Sequence, residues 1–139
     1  MAGCYLYTWY VMIADAILGL TSSKILVLLL INVLLLIVGT FMETNAAIII
    51  LTPILLPIVT RLGVNPIHFG IIVVMNLSIG FITPPLGANL FMACQVGEIS
   101  FDKLARKIWP WIVVMVALLM LVTYIPQISM ALPEAMGVI

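Results

Sequence analysis

Charge is what this sequence has least of. Five basic and five acidic side chains are spread over 139 residues, 7% of the chain, against 65% hydrophobic. A water-soluble domain of this length needs a polar surface, and ten charges cannot supply one. Soluble globular folds are thereby excluded, and the chain reads as an integral membrane protein. The formal net charge is zero, and there is no basic patch to grip a phosphate backbone, which excludes nucleic acid as a partner. The two cysteines, Cys4 and Cys94, lie far apart in apolar settings. Two buried thiols fit them better than a disulfide or a metal pair. The single histidine, His68, has no second histidine or cysteine near it, so a zinc site is not expected. Nucleophile–base pairs, phosphate loops and metalloprotease signatures are missing too, and an enzyme is not expected. No hydrophobic stretch precedes Cys4, and no signal peptide is apparent.

What remains is apolar sequence in continuous rather than alternating stretches, with a mean hydropathy of +1.39. That pattern predicts an all-α membrane fold rather than a barrel. Residues 5–20 are apolar and aromatic, interrupted by Asp15. They are too short for a hydrocarbon core that takes about 20 residues to cross, and read as the end of a spanning helix or as an interfacial one. A polar link, residues 21–24, offers N-cap candidates. Two short apolar segments, 25–38 and 46–59, then flank a polar stretch at 39–45. At 1.5 Å per residue the first reaches about 21 Å, and Pro53 and Pro57 shorten the second. The expectation is a re-entrant hairpin with Glu43 at its tip. The competing reading is two tilted full spans with Glu43 in an interfacial loop.

After a polar turn at 60–68, residues 69–82 and 90–96 are the halves of a broken helix. Residues 100–107 predict an amphipathic interfacial helix: Phe101, Leu104 and Ile108 share one stripe, with Asp102, Lys103, Arg106 and Lys107 elsewhere. Residues 108–125 form a full-length span with Trp109 and Trp111 at one end and Tyr124 at the other, an aromatic belt at each interface. Pro126 ends it, leaving a short apolar tail with Glu134. The expected organisation is a partial N-terminal helix and link (1–24), a hairpin (25–59), a connection and broken helix (60–96), a cytoplasmic amphipathic helix (97–107), and a last span with its tail (108–139). Lys103, Arg106 and Lys107 mark the cytoplasmic side. Lys24 and Arg61 then share the opposite face, and the C-terminus points outward.

The break itself is the most informative feature. Apolar sequence stops at Ile82-Thr83-Pro84-Pro85-Leu86-Gly87-Ala88-Asn89 and resumes with Leu90. Two adjacent prolines remove two backbone donors and clash with a continuing helix, while Gly87 permits conformations other residues avoid. Inside a membrane, the freed carbonyls must be buried in protein or line a polar cavity. Broken helices that do this are typical cation or substrate sites of secondary transporters.

Glu43 is the one acid the hairpin puts at membrane depth, where carboxylates are costly and functional by default. It favours a cation or exchanges protons, or else is a hydrogen-bonded structural acid. Thr44, Asn45, Thr83 and Asn89 bring hydroxyl and amide groups to the two breaks. They can hold a carboxylate without burying a full positive charge, or simply cap helix ends. Glu43, Thr44, Asn45, Gly87 and Asn89 are accordingly the candidate substrate-binding residues. Asn76 and Ser78 lie within the broken helix and read as packing groups that bond to neighbouring helices. No substrate-clamping arginine is evident, since Arg61 and Arg106 both fall in connections.

With hairpin and broken helix in place, the chain resembles a known family. Residues 39–57 (GTFMETNAAIIILTPILLP), 63–70 (GVNPIHFG) and 76–91 (NLSIGFITPPLGANLF) follow the order and spacing of the large membrane subunit of tripartite ATP-independent periplasmic (TRAP) transporters. The resemblance covers residues 22–132 and that subunit's C-terminal quarter to third. A lone Thr-Pro-Pro is not specific; three stretches in order are. The family often has aspartate then proline where this chain has Glu43-Thr44, so the acid is kept and the tip is free to bend differently.

The resemblance implies an elevator-type, sodium-coupled importer of small organic acids, dicarboxylates or sialic acids, in a bacterial or archaeal inner membrane. It implies as partners a soluble periplasmic binding protein that delivers substrate and a small membrane subunit. It implies no cofactor beyond sodium as coupling ion. The family fold has two inverted repeats, and this chain corresponds to the second, so the missing first repeat is a further partner and the chain reads as a fragment, a truncated reading frame or a split subunit. One sodium site maps onto backbone oxygens of Gly39, Gly80, Thr83 and Leu86, with the Thr83 hydroxyl as a further ligand. Competing readings are a citrate or arsenite carrier of the same broad group, and a non-transporting membrane assembly subunit.

Overall fold

The computed structural model describes residues 23–84 and 86–137, together with helical positions 8, 11, 12, 15, 16 and 19. Cys4, most of the 5–20 segment, Thr21, Ser22 and Pro85 lie outside the described residues. Six helices follow in order: α1 (Lys24–Phe41), α2 (Thr44–Arg61), α3 (Pro66–Phe81), α4 (Ala88–Gly97), α5 (Phe101–Tyr124) and α6 (Pro126–Ala135). Among the described residues all regular structure is helical. Three of the described helices, α1, α2 and α5, are long and apolar enough to cross a membrane.

On α1, buried positions recur at Val27, Leu28, Ile31, Asn32, Leu35 and Gly39. The intervening Ile25, Leu29, Val33 and Ile37 are exposed. The helix is thus apolar all round but packed on one stripe only, as expected where the solvent on the other face is lipid. α5 repeats the pattern, with Trp109, Trp111, Val113, Val114 and Leu118 exposed and Ile112, Leu119 and Thr123 buried. α3 is the central element, packing most extensively on α1, then on α2 and α5. Its Phe69, Val73 and Leu77 interlock with Leu28, Ile31 and Leu35 of α1 and Leu55 and Ile58 of α2 in one core cluster.

Several expectations from sequence change at this point. The segments read as 25–38 and 46–59 are each 18-residue helices, about 27 Å long at 1.5 Å per residue. α2 runs through Pro53 and Pro57, both on its exposed side. The Thr60 hydroxyl, shared between the Leu56 and Pro57 carbonyls at 2.9 and 3.0 Å, holds its last turn. The polar tip shrinks to Met42 and Glu43. The separate amphipathic helix and last span are one 24-residue helix, because no glycine or cap divides Lys107 from Ile108 and Pro110 is accommodated inside it. The apolar tail is helical, with Pro126 at its start.

His68, read as part of a polar turn, is instead buried in the first turn of α3. Pro66 supplies a preset φ there, and the Asn65 side chain accepts the Ile67 N–H at 2.9 Å, so the helix begins earlier than its apolar run. The His68 Nε2–H donates to the Thr123 carbonyl at 3.3 Å, while Nδ1 meets the Ser129 hydroxyl. α3, α5 and α6 are joined at that point.

The start of α1 and the connection after α2 lie at the same end of the bundle. Lys24, Gly63, Val64, Asn65, His68, Thr123 and Tyr124 line one cavity of about 380 Å³ there. The Tyr124 hydroxyl reaches the Ile25 carbonyl at 3.4 Å, and Arg61 pairs with Asp15 at 3.8 Å between exposed side chains. α1 and α3 therefore run parallel, both starting at this end.

They close to backbone contact near their far ends. A Cβ on Gly80 would lie 2.8 Å from both Cα and C of Gly39 and 3.0 Å from the Leu36 carbonyl oxygen. Backbone atoms cannot give way as a flexible side chain can. Gly80→Ala should therefore destabilise the fold by about 1–3 kcal/mol. Gly70→Ala, where a Cβ meets nothing within 4 Å, should be neutral or stabilising by up to about 1 kcal/mol. Unfolding of both variants in one detergent checks this; equal stability would contradict the contact.

Candidate functional site

The far end of the α1–α3 pair gathers the two backbone irregularities predicted from sequence. After α1, the Met42 N–H bonds back to Val38 at 2.8 Å. The Gly39, Thr40 and Phe41 carbonyls are then the ones the helix end leaves over. After α3, the chain tightens: Ile82 N–H donates to Ile79 at 3.2 Å and Thr83 N–H to Gly80 at 3.0 Å. The Thr83 hydroxyl donates to the Ile79 carbonyl at 2.6 Å, a capping role, and keeps its lone pairs free to accept or ligate. The chain turns back as Gly87 N–H donates to Thr83 at 3.1 Å, and α4 starts from there.

Gly87 is buried against this turn. Its φ is −24°, so a left-handed conformation is not the reason for glycine here. Close approach is: a Cβ would sit 3.0 Å from the Phe81 carbonyl oxygen and 3.0 Å from the Ile82 carbonyl carbon.

Of the predicted ion-site residues, Gly39 and Gly80 are in contact and Thr83 follows in the turn bonded to Gly80, while Leu86 is 46% exposed beside Gly87. Of the predicted substrate residues, Glu43 and Asn45 are exposed at the α1–α2 turn, where the Asn45 amide donates to the Glu43 carboxylate at 3.0 Å. Glu43 is the N-cap of α2 without a side-chain cap bond. Thr44 is half-buried as the first residue of α2, and Asn89 is exposed on the first turn of α4. The structure thus brings Gly39, Gly80, Thr83 and Gly87 to one place and leaves Glu43, Asn45, Leu86 and Asn89 on accessible surface around it. Among the described residues no group of three or more histidine, cysteine or acidic side chains could hold a metal ion.

Asn76 bonds to a neighbouring helix, as its place in an apolar run predicts, within a buried polar layer that also holds Asn32 and Thr123. Asn76 Nδ2 donates to Asn32 Oδ1 and, at 2.9 Å, to the Ile72 carbonyl. Asn32 Nδ2 donates to Thr123 Oγ1 at 3.2 Å, whose hydrogen goes to the Leu119 carbonyl at 2.7 Å. The signal for it was present: an amide inside each of two apolar runs has to find a partner in lipid.

Comparison with known proteins decides the family. Residues 4–128 match the model of the tripartite ATP-independent periplasmic transporter DctM component. The chain belongs to this family. It is 59% identical over 118 residues to the isethionate TRAP transporter permease protein DctMQ of Oleidesulfovibrio alaskensis, covering 85% of this chain and 19% of that protein. It is 44% identical over 110 residues to the C4-dicarboxylate TRAP transporter large permease protein DctM of Rhodobacter capsulatus, covering 79% and 25%. With the sialic acid TRAP transporter large permease protein SiaM of Vibrio cholerae it shares 42% over 123 residues, covering 88% and 29%. The chain thus spans 19% to 29% of the length of these relatives. As a TRAP permease chain with membrane-length apolar helices it is a membrane protein of a transporter family, not of an enzyme family.

The turn after α3 yields a direct test. Gly87→Ala should cost about 1–3 kcal/mol, because the added carbon meets backbone. Asn89→Ala, on exposed surface, should stay within about 0.5 kcal/mol of the parent. Thermal unfolding in nanodiscs checks both, and a fully stable Gly87→Ala protein would contradict the described turn.

Proposed function

We propose that this chain forms part of the transport pathway of a sodium-coupled secondary transporter importing small organic anions into bacterial or archaeal cells across the inner membrane. The observation that carries the reading is the meeting of the α1 end with the α3 break at Gly39 and Gly80, in a chain belonging to the TRAP permease family. Carbonyl oxygens of Gly39, Gly80, Thr83 and Leu86, with the Thr83 hydroxyl, are the proposed sodium ligands. Neutral oxygens suit sodium because each contributes partial negative charge without fixing a net charge in the site. Glu43, Thr44, Asn45, Gly87 and Asn89 lie around that point and are the proposed substrate contacts. The substrate is a small carboxylate or sulfonate, since relatives are named for dicarboxylate, sialic acid and isethionate.

The proposed partners are the missing first repeat, a small membrane subunit and a periplasmic binding protein, with the α1–α2 hairpin re-entrant and moving in an elevator-type cycle. A broken helix on one repeat exposes its site to one side at a time only when a second repeat closes the other. In proteoliposomes, uptake should therefore require all of these parts and a sodium gradient. Thr83→Val keeps the shape of the turn and removes one oxygen, and should raise the sodium concentration for half-maximal uptake by about tenfold, equivalent to about 1.4 kcal/mol. Strong sodium-driven uptake by this chain alone, or unchanged sodium dependence in Thr83→Val, would contradict the reading.

A further inference from the structure

The Asn32–Asn76 bond is buried on every side, with both side chains 0% exposed. Asn76 Oδ1 has no hydrogen-bond partner among the described residues. Exchanging the two ends of the Asn76 amide does not repair this. The oxygen would then face the Asn32 oxygen and the Ile72 carbonyl, both acceptors. If packing were the only requirement, an apolar side chain of the same volume would fill the space without an orphaned acceptor. Retaining an incompletely satisfied amide at a parallel helix contact is how such contacts specify register at a cost in stability.

The register at stake leads straight to the candidate site. Asn32 bonds Asn76, and four residues further along each helix the Leu36 carbonyl meets Gly80. Both pairs have the same offset, so one turn of α1 lies in step with one turn of α3. Gly39 and the α3 break follow within the next turn. Apolar packing against lipid does little to prevent two parallel helices from sliding, because lipid tails are as apolar as leucine. Glycine contacts allow close approach but do not by themselves choose one register.

We infer that Asn32 and Asn76 are positioning residues: their bond sets the depth at which the carbonyls at the end of α1 face the break after α3. Thr123 is the third member, tying Asn32 to α5. The consequence for sodium rests on the function proposed above, whereas the register itself does not.

The test replaces both amides by leucine, Asn32→Leu with Asn76→Leu, which keeps the number and branching of side-chain heavy atoms and leaves no buried orphan. Spin labels on Phe41→Cys and Ile82→Cys, in a Cys4→Ser and Cys94→Ser background, read the distance between the helix ends in nanodiscs. The parent should give one narrow distribution. The double-leucine protein should retain or gain thermal stability, yet give a broadened distribution or one displaced by up to about 5 Å, one helical turn. In the complete transporter its sodium concentration for half-maximal uptake should rise by about tenfold, with a smaller change in maximal rate. An unchanged narrow distribution overturns the inference. A displaced distribution with unchanged sodium affinity overturns the positioning role and leaves a structural one. Sodium-independent uptake by the parent overturns the functional reading instead, and the label distances still decide the register.

Discussion

Gly39 and Gly80 let two helices touch through their backbones, and most of what this fold can do depends on that contact. In water, apolar burial would hold α1 and α3 together at almost any register. In lipid that force is missing between helices, so close packing and interhelical hydrogen bonds have to carry association. A side chain at either glycine would separate the helices and move the end of α1 away from the break after α3. The contact therefore does two things at once: it holds the central pair together, and it puts leftover carbonyls at the end of α1 next to a turn whose own carbonyls are only partly used.

Polar bonds at two further levels steady the same pair. The amides of Asn32 and Asn76 meet in the middle, and His68 with Ser129 and the Thr123 carbonyl closes the opposite end. Thr123 belongs to both levels, through its hydroxyl and its carbonyl respectively. Individually such bonds contribute about 0.6 kcal/mol on average within membranes. Their larger effect is on specificity, because a buried amide without its partner has no water to turn to. α2 is held less by α1 than by α3, and its tip with Glu43 remains accessible.

Much of this was legible in the sequence. Charge scarcity and continuous apolar stretches identify a helical membrane protein, and Pro84 with Gly87 marks the break where it occurs. The meeting of Gly39 with Gly80 was reachable only through family resemblance, since nothing local to either glycine names the other. Helix lengths were underestimated because Pro53 and Pro57 read as shortening α2 and the charged stretch before Ile108 read as a separate interfacial helix, whereas helices in such settings continue through proline when the freed carbonyl finds another group or faces outward. His68 was misassigned because Pro66 and Asn65 start α3 ahead of its apolar run. The Asn32–Asn76–Thr123 layer was legible only in part: Asn76 reads as a group that bonds to a neighbouring helix, but only the parallel pairing of two helices brings it to Asn32, 44 residues away.

The central claim is that the end of α1 and the break after α3 form one sodium-responsive unit. Hydrogen–deuterium exchange of the complete transporter in nanodiscs, in sodium and in equal potassium, tests it most directly. Sodium alone should slow exchange in peptides covering residues 39–45 and 80–90, with the α5 segment 112–122 indifferent to the ion. Equal protection by potassium, or sodium-specific protection confined to other parts of the transporter, would contradict the account.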